Sequence, residues 1–250
     1  SLDTAKMNEP GAPLLNGIGN LRFAVTTKSD TAQKYFNQGL TLLYGFNHSE
    51  AGRSFKEMIR RDPTCAMAYW GLGMVLGPNY NAGLNAELLT EINTVMEKAV
   101  RYASKASPRE KALIQALAKR FPKEAVTDMA PYNAAYAAGM KKAFEQFPAD
   151  ADVATLYADA LMNEHPWDLW KKDGTAQPWT PAIQQLLEKT LAMAPNHPGP
   201  NHMYIHAMEA SPQALKATAA ADRLRDMLPA AGHLVHMPSH IDIRTGQYHK

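Results

Sequence analysis

The sequence predicts an all-α fold, a solenoid of stacked helical hairpins, on three observations. Tyr35, Gly39 and Leu42 recur 34 residues later as Tyr69, Gly73 and Leu76. The stretch between these copies reads as helix, turn and helix. The same interval of 34 separates Pro195 from Pro229, and the pair His202 and His206 from the pair His236 and His240. A period of this length made of two helices marks a stacked-repeat architecture, in which each hairpin covers the apolar face of its neighbour.

The elements follow in order. Residues 1–28 form an irregular lead-in, since Pro10, Gly11, Pro13, Gly17 and Gly19 interrupt any sustained period. From Thr31, the residues Tyr35, Phe36, Leu40, Leu42, Leu43 and Phe46 make a first helix; after a break at Asn47-His48-Ser49, the residues Ala51, Phe55, Met58 and Ile59 make its partner, closed by Asp62-Pro63. The next helix starts at Thr64. Residues 84–104 carry an amphipathic helix (Leu84, Leu88, Ile92, Val95, Met96, Ala99, Val100), and Pro108 opens another that runs to Phe121-Pro122. Pro131 to Phe147, Asp150 to Glu164 and Pro181 to Met193 complete the middle, each bounded by a proline or an aspartate. Repeats are clear over 31–80 and 150–250 and degenerate over 84–150. Arg244 to Tyr248 reads as the turn before a second helix, so the last repeat is incomplete at Lys250.

Tyr35, Gly39, Ala51, Phe55 and Pro63, with Tyr69, Leu72 and Gly73 beginning another copy, give the chain its resemblance to a known family. It resembles the tetratricopeptide repeat proteins, whose first helix carries an aromatic, Leu-Gly and an aromatic, and whose second carries Ala-x3-Phe and a terminal proline. Gln38 and Leu42 stand where that family has Leu and Tyr. The resemblance implies a tetratricopeptide-like array over residues 29–250, a right-handed superhelix of antiparallel helix pairs. It also implies that certain first-helix residues line a concave ligand-binding groove. Seven and eleven residues after the closing prolines, those positions hold Trp70 and Met74, Thr155 and Asp159, His202 and His206, and His236 and His240.

Composition narrows the partners. With 26 basic and 24 acidic residues and no long run of either sign, the chain lacks the electrostatic footprint of a nucleic-acid binder. No apolar run approaches the roughly 20 residues of a membrane span, so a soluble chain is expected. Its compartment stays open between cytoplasm and, after removal of a signal segment, periplasm or exterior. The single cysteine, Cys65, excludes an internal disulfide framework and any Cys-x-x-Cys motif.

Chemistry concentrates in the histidines. Residues four apart on a helix share a face, with Cβ atoms about 5–6 Å apart, so His202 with His206, and His236 with His240, each form a stripe. Glu209 and His233 extend the stripes, and His165 ends the helix one repeat earlier. Imidazoles reaching from facing helices can meet at one ion, and neutral imidazole suits zinc, copper, iron or nickel. The expected primary ligands are His202, His206, His236 and His240, with Glu209, His233 and His165 as further ligands or partners that fix tautomers. Copper and zinc lead the candidate ions, then iron. Trp167, Trp170 and Trp179 crowd one loop after His165, which reads either as a lid or as packing over a helix end.

Two functions remain in view. One is a metalloenzyme or metal-handling protein with a histidine-rich transition-metal site in the groove. The other is a metal-free scaffold that holds a peptide or protein partner against Trp70, Met74 and the groove.

Overall fold

Short capping sequences cut the chain into helices. The computed structural model describes residues 4–249; residues 1–3 of the lead-in and residue 250 of the last repeat lie outside the described residues. In chain order the helices are α1 (Thr4–Met7), α2 (Asp30–Tyr44), α3 (His48–Arg61), α4 (Ala66–Leu76), α5 (Leu89–Tyr102), α6 (Pro108–Leu117) and α7 (Ala130–Gln146). They continue as α8 (Ala151–Glu164), α9 (Thr180–Met193), α10 (Pro198–Met208), α11 (Thr218–Met227), α12 (Gly232–His236) and α13 (Pro238–Thr245). Among the described residues there is no strand beyond two isolated bridges.

The starts have identifiable causes. Ser29 caps α2 by accepting from the Ala32 N–H, and Asp150 caps α8 by accepting from Val153. Ser107 and Glu110 form a reciprocal capping box on α6, with Pro108 in the first turn where a missing N–H costs nothing. At the far end Gly246 adopts φ +72° and closes α13.

Two expectations change. The lead-in is not wholly irregular: Thr4–Met7 is a helical turn with Met7 buried, and the segment after it is tied to α2, where Gln38 accepts from the Leu15 N–H and Tyr35 donates to the Ala12 carbonyl. His236 and His240 do not share one unbroken helix, because Pro238 supplies no N–H to continue the ladder and separates α12 from α13.

Each helix from α2 to α11 packs against its successor, and α11 packs in turn against α12 and α13. The wrap is tight enough that α10 also packs on α2. Its seam is polar: Tyr44 at the end of α2 donates its hydroxyl to Asp152 on α8 (2.8 Å), and His197 Nε2 lies 2.9 Å from the same oxygen. Gly199 lets the backbones close there, for a Cβ would come 2.6 Å from Thr155 and 3.1 Å from Tyr44. The apolar core divides accordingly. One cluster runs from Met7 to Ala160; the other gathers Phe46 and Tyr80 with side chains from α8 to α13.

Candidate metal centre

Helix α10 is buried along its whole length, from Pro198 to Met208. Its two histidines therefore have no solvent to satisfy them. His202 is 0% and His206 3% exposed. His233, the first side chain of the α12 stripe, reaches across so that Nε2 of His202 and Nε2 of His233 stand 3.0 Å apart. One ring nitrogen from each of His202, His206 and His233 falls within 4.8 Å of the others. An ion with metal–nitrogen bonds of about 2.0–2.1 Å wants its nitrogens roughly 3.3 Å apart. One separation, 3.0 Å, is close to that spacing, and the third nitrogen lies within 4.8 Å of the other two.

Hydrogen bonds fix the tautomers. His202 Nδ1 lies 2.6 Å from the Tyr44 carbonyl, which can only accept, so Nδ1 carries the proton and Nε2 a lone pair. His206 Nδ1 lies 2.9 Å from Glu209 and donates to it, which leaves Nε2 of His206 as a second lone pair. That atom is buried with no hydrogen-bond partner. An unpartnered acceptor in the interior costs about 1–3 kcal/mol. Outer partners that hold the far ring nitrogen, a backbone carbonyl or a carboxylate, are what ligating histidines ordinarily have.

Electrostatics agree with neutral rings at His202 and His233. Burial, then the neighbouring His206 and His233, hold His202 well below the usual imidazole range. Burial and the adjacent histidines bring His233 down to about 4. Burial would raise the Glu209 carboxyl, but the bonds from His206 and His240 outweigh it and lower it to about 2. Glu209 is thus a carboxylate placed beside the triad.

The outer residues form a chain leading away from it. Glu209 accepts from His206 with one oxygen and pairs with His240 Nδ1 through the other. His240 Nε2 sits 2.7 Å from His236 Nε2 at the surface. The structure therefore groups six of the seven sequence-derived histidine and glutamate positions in one network, with His233 rather than His236 or His240 beside His202 and His206. His165 lies apart, stacked on Trp179 with ring centroids 3.7 Å apart.

Aromatic rings cover the triad. Phe46 packs on His202, His206 and His233, with centroids 4.6, 5.8 and 5.6 Å away, and also on His48. Tyr80 and Trp167 lie against His206 from another side. Phe46 (φ 51°) and Trp167 (φ 60°) are the only non-glycine residues with positive φ among the described residues. Such a backbone costs on the order of 1–3 kcal/mol and persists only where the surroundings impose it; both instances place a ring on this cluster.

The tryptophan loop divides its labour. Trp167 is 59% exposed and stacks on Tyr80, so it covers the site from outside. Trp170 donates to the Ala207 carbonyl on α10 and Trp179 to the Asp168 carbonyl, which fastens the loop down. Trp70 and Met74, expected in an open groove, are buried in the first core, Trp70 against Phe36 and Met74 as acceptor from the Tyr136 hydroxyl. Asp159 is also buried; burial raises its carboxyl, and Asn163 donates to it.

Phe46, His48, Tyr80 and the Tyr44 carbonyl lie around the triad, and sequence reasoning passed them over. His48 was within reach, as a histidine beside the break after α2. His233 lines a cavity of about 470 Å³ with Phe46, His48, Asn79, Asn81 and Asn85. Neither a protein-family model nor a curated protein matches the chain.

Proposed function

We propose that the protein binds one first-row transition-metal ion through Nε2 of His202, His206 and His233, in a tetratricopeptide-like array wound tightly enough to bury the site. The observation that carries this reading is the unpartnered, buried Nε2 of His206, on a ring that lies against the imidazoles of His202 and His233 while Glu209 holds its Nδ1 proton. Three neutral nitrogens with a nearby carboxylate suit zinc or copper first, then iron. A three-histidine set also leaves a coordination position open, as catalytic rather than structural sites do.

The adjoining cavity suggests what would meet that position. Among the described residues its wall has three asparagines and no aspartate, glutamate, lysine or arginine, so a neutral molecule with hydrogen-bonding groups suits it better than an ion. The metal would act there as a Lewis acid or redox centre. The scaffold reading is weaker, since Trp70 and Met74, on which it depends, lie in the core.

Elemental analysis of untagged protein purified without chelator tests the proposal. We expect close to one transition-metal ion per chain, lost in His206→Ala. A metal-free protein that also takes up no zinc, copper or iron would falsify it.

A further inference from the structure

The arm beyond Glu209 invites a second question, because it places two accessible imidazoles nitrogen to nitrogen. His236 is exposed, and the His240 side chain is 27% exposed. Glu209 takes the Nδ1 proton of His240, so Nε2 of His240 is a lone pair. It faces Nε2 of His236 at 2.7 Å, with ring centroids 4.6 Å apart. Two ring nitrogens at that distance need something positive between them. With both rings neutral, it is the His236 proton.

We propose that His236 and His240 form a second, outer cation site for a zinc(II) or copper(II) ion, linked to the triad by Glu209. It rests on the inner centre proposed above for its partner but uses different ligands. Binding requires His236 to move its proton from Nε2 to Nδ1. Ser239 Oγ lies 3.4 Å from that Nδ1 and donates its own hydrogen to the His236 carbonyl, so a lone pair is free to accept the proton. Both Nε2 lone pairs then converge on one ion, and water completes its coordination from the open side.

The arrangement ranks the two sites. The outer one has two protein ligands and is hydrated; the inner has three and is enclosed, so the inner fills first. Glu209 couples them because His206 and His240 each donate to one of its oxygens. An ion on either imidazole makes its N–H a stronger donor to that shared carboxylate.

Zinc titration by calorimetry and copper(II) titration by electron paramagnetic resonance, on chelator-stripped untagged protein, separate the possibilities. We expect two classes of ion in the wild type, one tight and one weaker. His236→Ala removes the weaker class and leaves the tight affinity within about threefold, while Glu209→Gln weakens both by roughly 10–100-fold. His236 is exposed, so the first variant keeps its fold, which circular dichroism verifies. A single tight ion in the wild type, or two classes surviving in His236→Ala, overturns the outer site and leaves the inner centre standing. No binding of either ion overturns both.

Discussion

Helices α4 and α10 occupy matching slots in the sequence, each opening three residues after a proline (Pro63 and Pro195), and put different chemistry there. Each has eleven residues, all buried. Seven and eleven residues after the closing proline, α4 carries Trp70 and Met74 where α10 carries His202 and His206. Both slots contain a buried nitrogen without a partner, Trp70 Nε1 and His206 Nε2. The indole nitrogen is a donor and can attract no cation. The imidazole nitrogen, its tautomer set by Glu209, is an acceptor and can. One helix tolerates a lost hydrogen bond for the sake of a large apolar ring; the other buries polar rings that only a positive partner completes.

The comparison can be broken at its apolar end first. Trp70→Ala should lower stability by about 3–5 kcal/mol through the cavity it leaves, read by urea unfolding, while metal content per folded molecule stays unchanged. A loss of metal in the folded variant would mean that the two slots are not independent.

Acid should separate the two regions next. Burial lowers His48 from 6.5 to about 4, and His233 also to about 4, so below about pH 6.5 the unfolded chain binds more protons than the folded one. The contribution of these two groups is then level above that pH and falls as pH drops from 6.5 towards 4, while His240, raised by its bond to Glu209, works in the opposite sense. His48 alone accounts for on the order of 3 kcal/mol across that window. The α4 slot has no histidine, and its neighbour Cys65 is pushed up by burial to about 11. His48→Phe should therefore flatten part of the acid limb, and an unchanged limb in unfolding curves between pH 7 and 4.5 would contradict the assignment.

Metal itself gives a somewhat smaller effect. Zinc or copper at about 100 times its dissociation constant should stabilise the wild type by about 2.7 kcal/mol. His206→Leu should remove that increment while changing the stripped protein little, since an apolar side chain relieves the unpartnered nitrogen but gives up the bond to Glu209. Thermal melts with and without ion decide this. The smallest effect is expected at Trp167, whose replacement by Ala should move stability by less than about 0.5 kcal/mol as an exposed residue, yet quicken removal of the ion by a chelator. Equal removal rates in wild type and variant would deny Trp167 a covering role.

Much of this was legible in one dimension. Pro108, Asp150 and Asp62-Pro63 announce helix ends because their chemistry acts within a turn. The histidine stripes are legible for the same reason, as spacing on a helix. Which stripe member reaches His202 is not, because that depends on how α12 meets α10. Spacing favoured His236 and His240, and the structure brings His233 there. Pro238 between the two was the sign that their helix would break. The Tyr44 carbonyl and the Phe46 ring carry no sequence motif at all: one is backbone, the other acts through a left-handed turn, and both meet α10 only because the succession of helices curls back on its start.

That curl has a consequence for how the molecule comes into being. The bond from His202 to the Tyr44 carbonyl closes a loop of 158 residues. Closing so long a loop is entropically costly and comes late, after local hairpins have formed. The first hairpin thus waits through most of synthesis for the helix that completes its seam. Ion capture at His202 would then act as a certificate of completed assembly: a chain with every helix formed but its ends still apart would have the ligands and not the site.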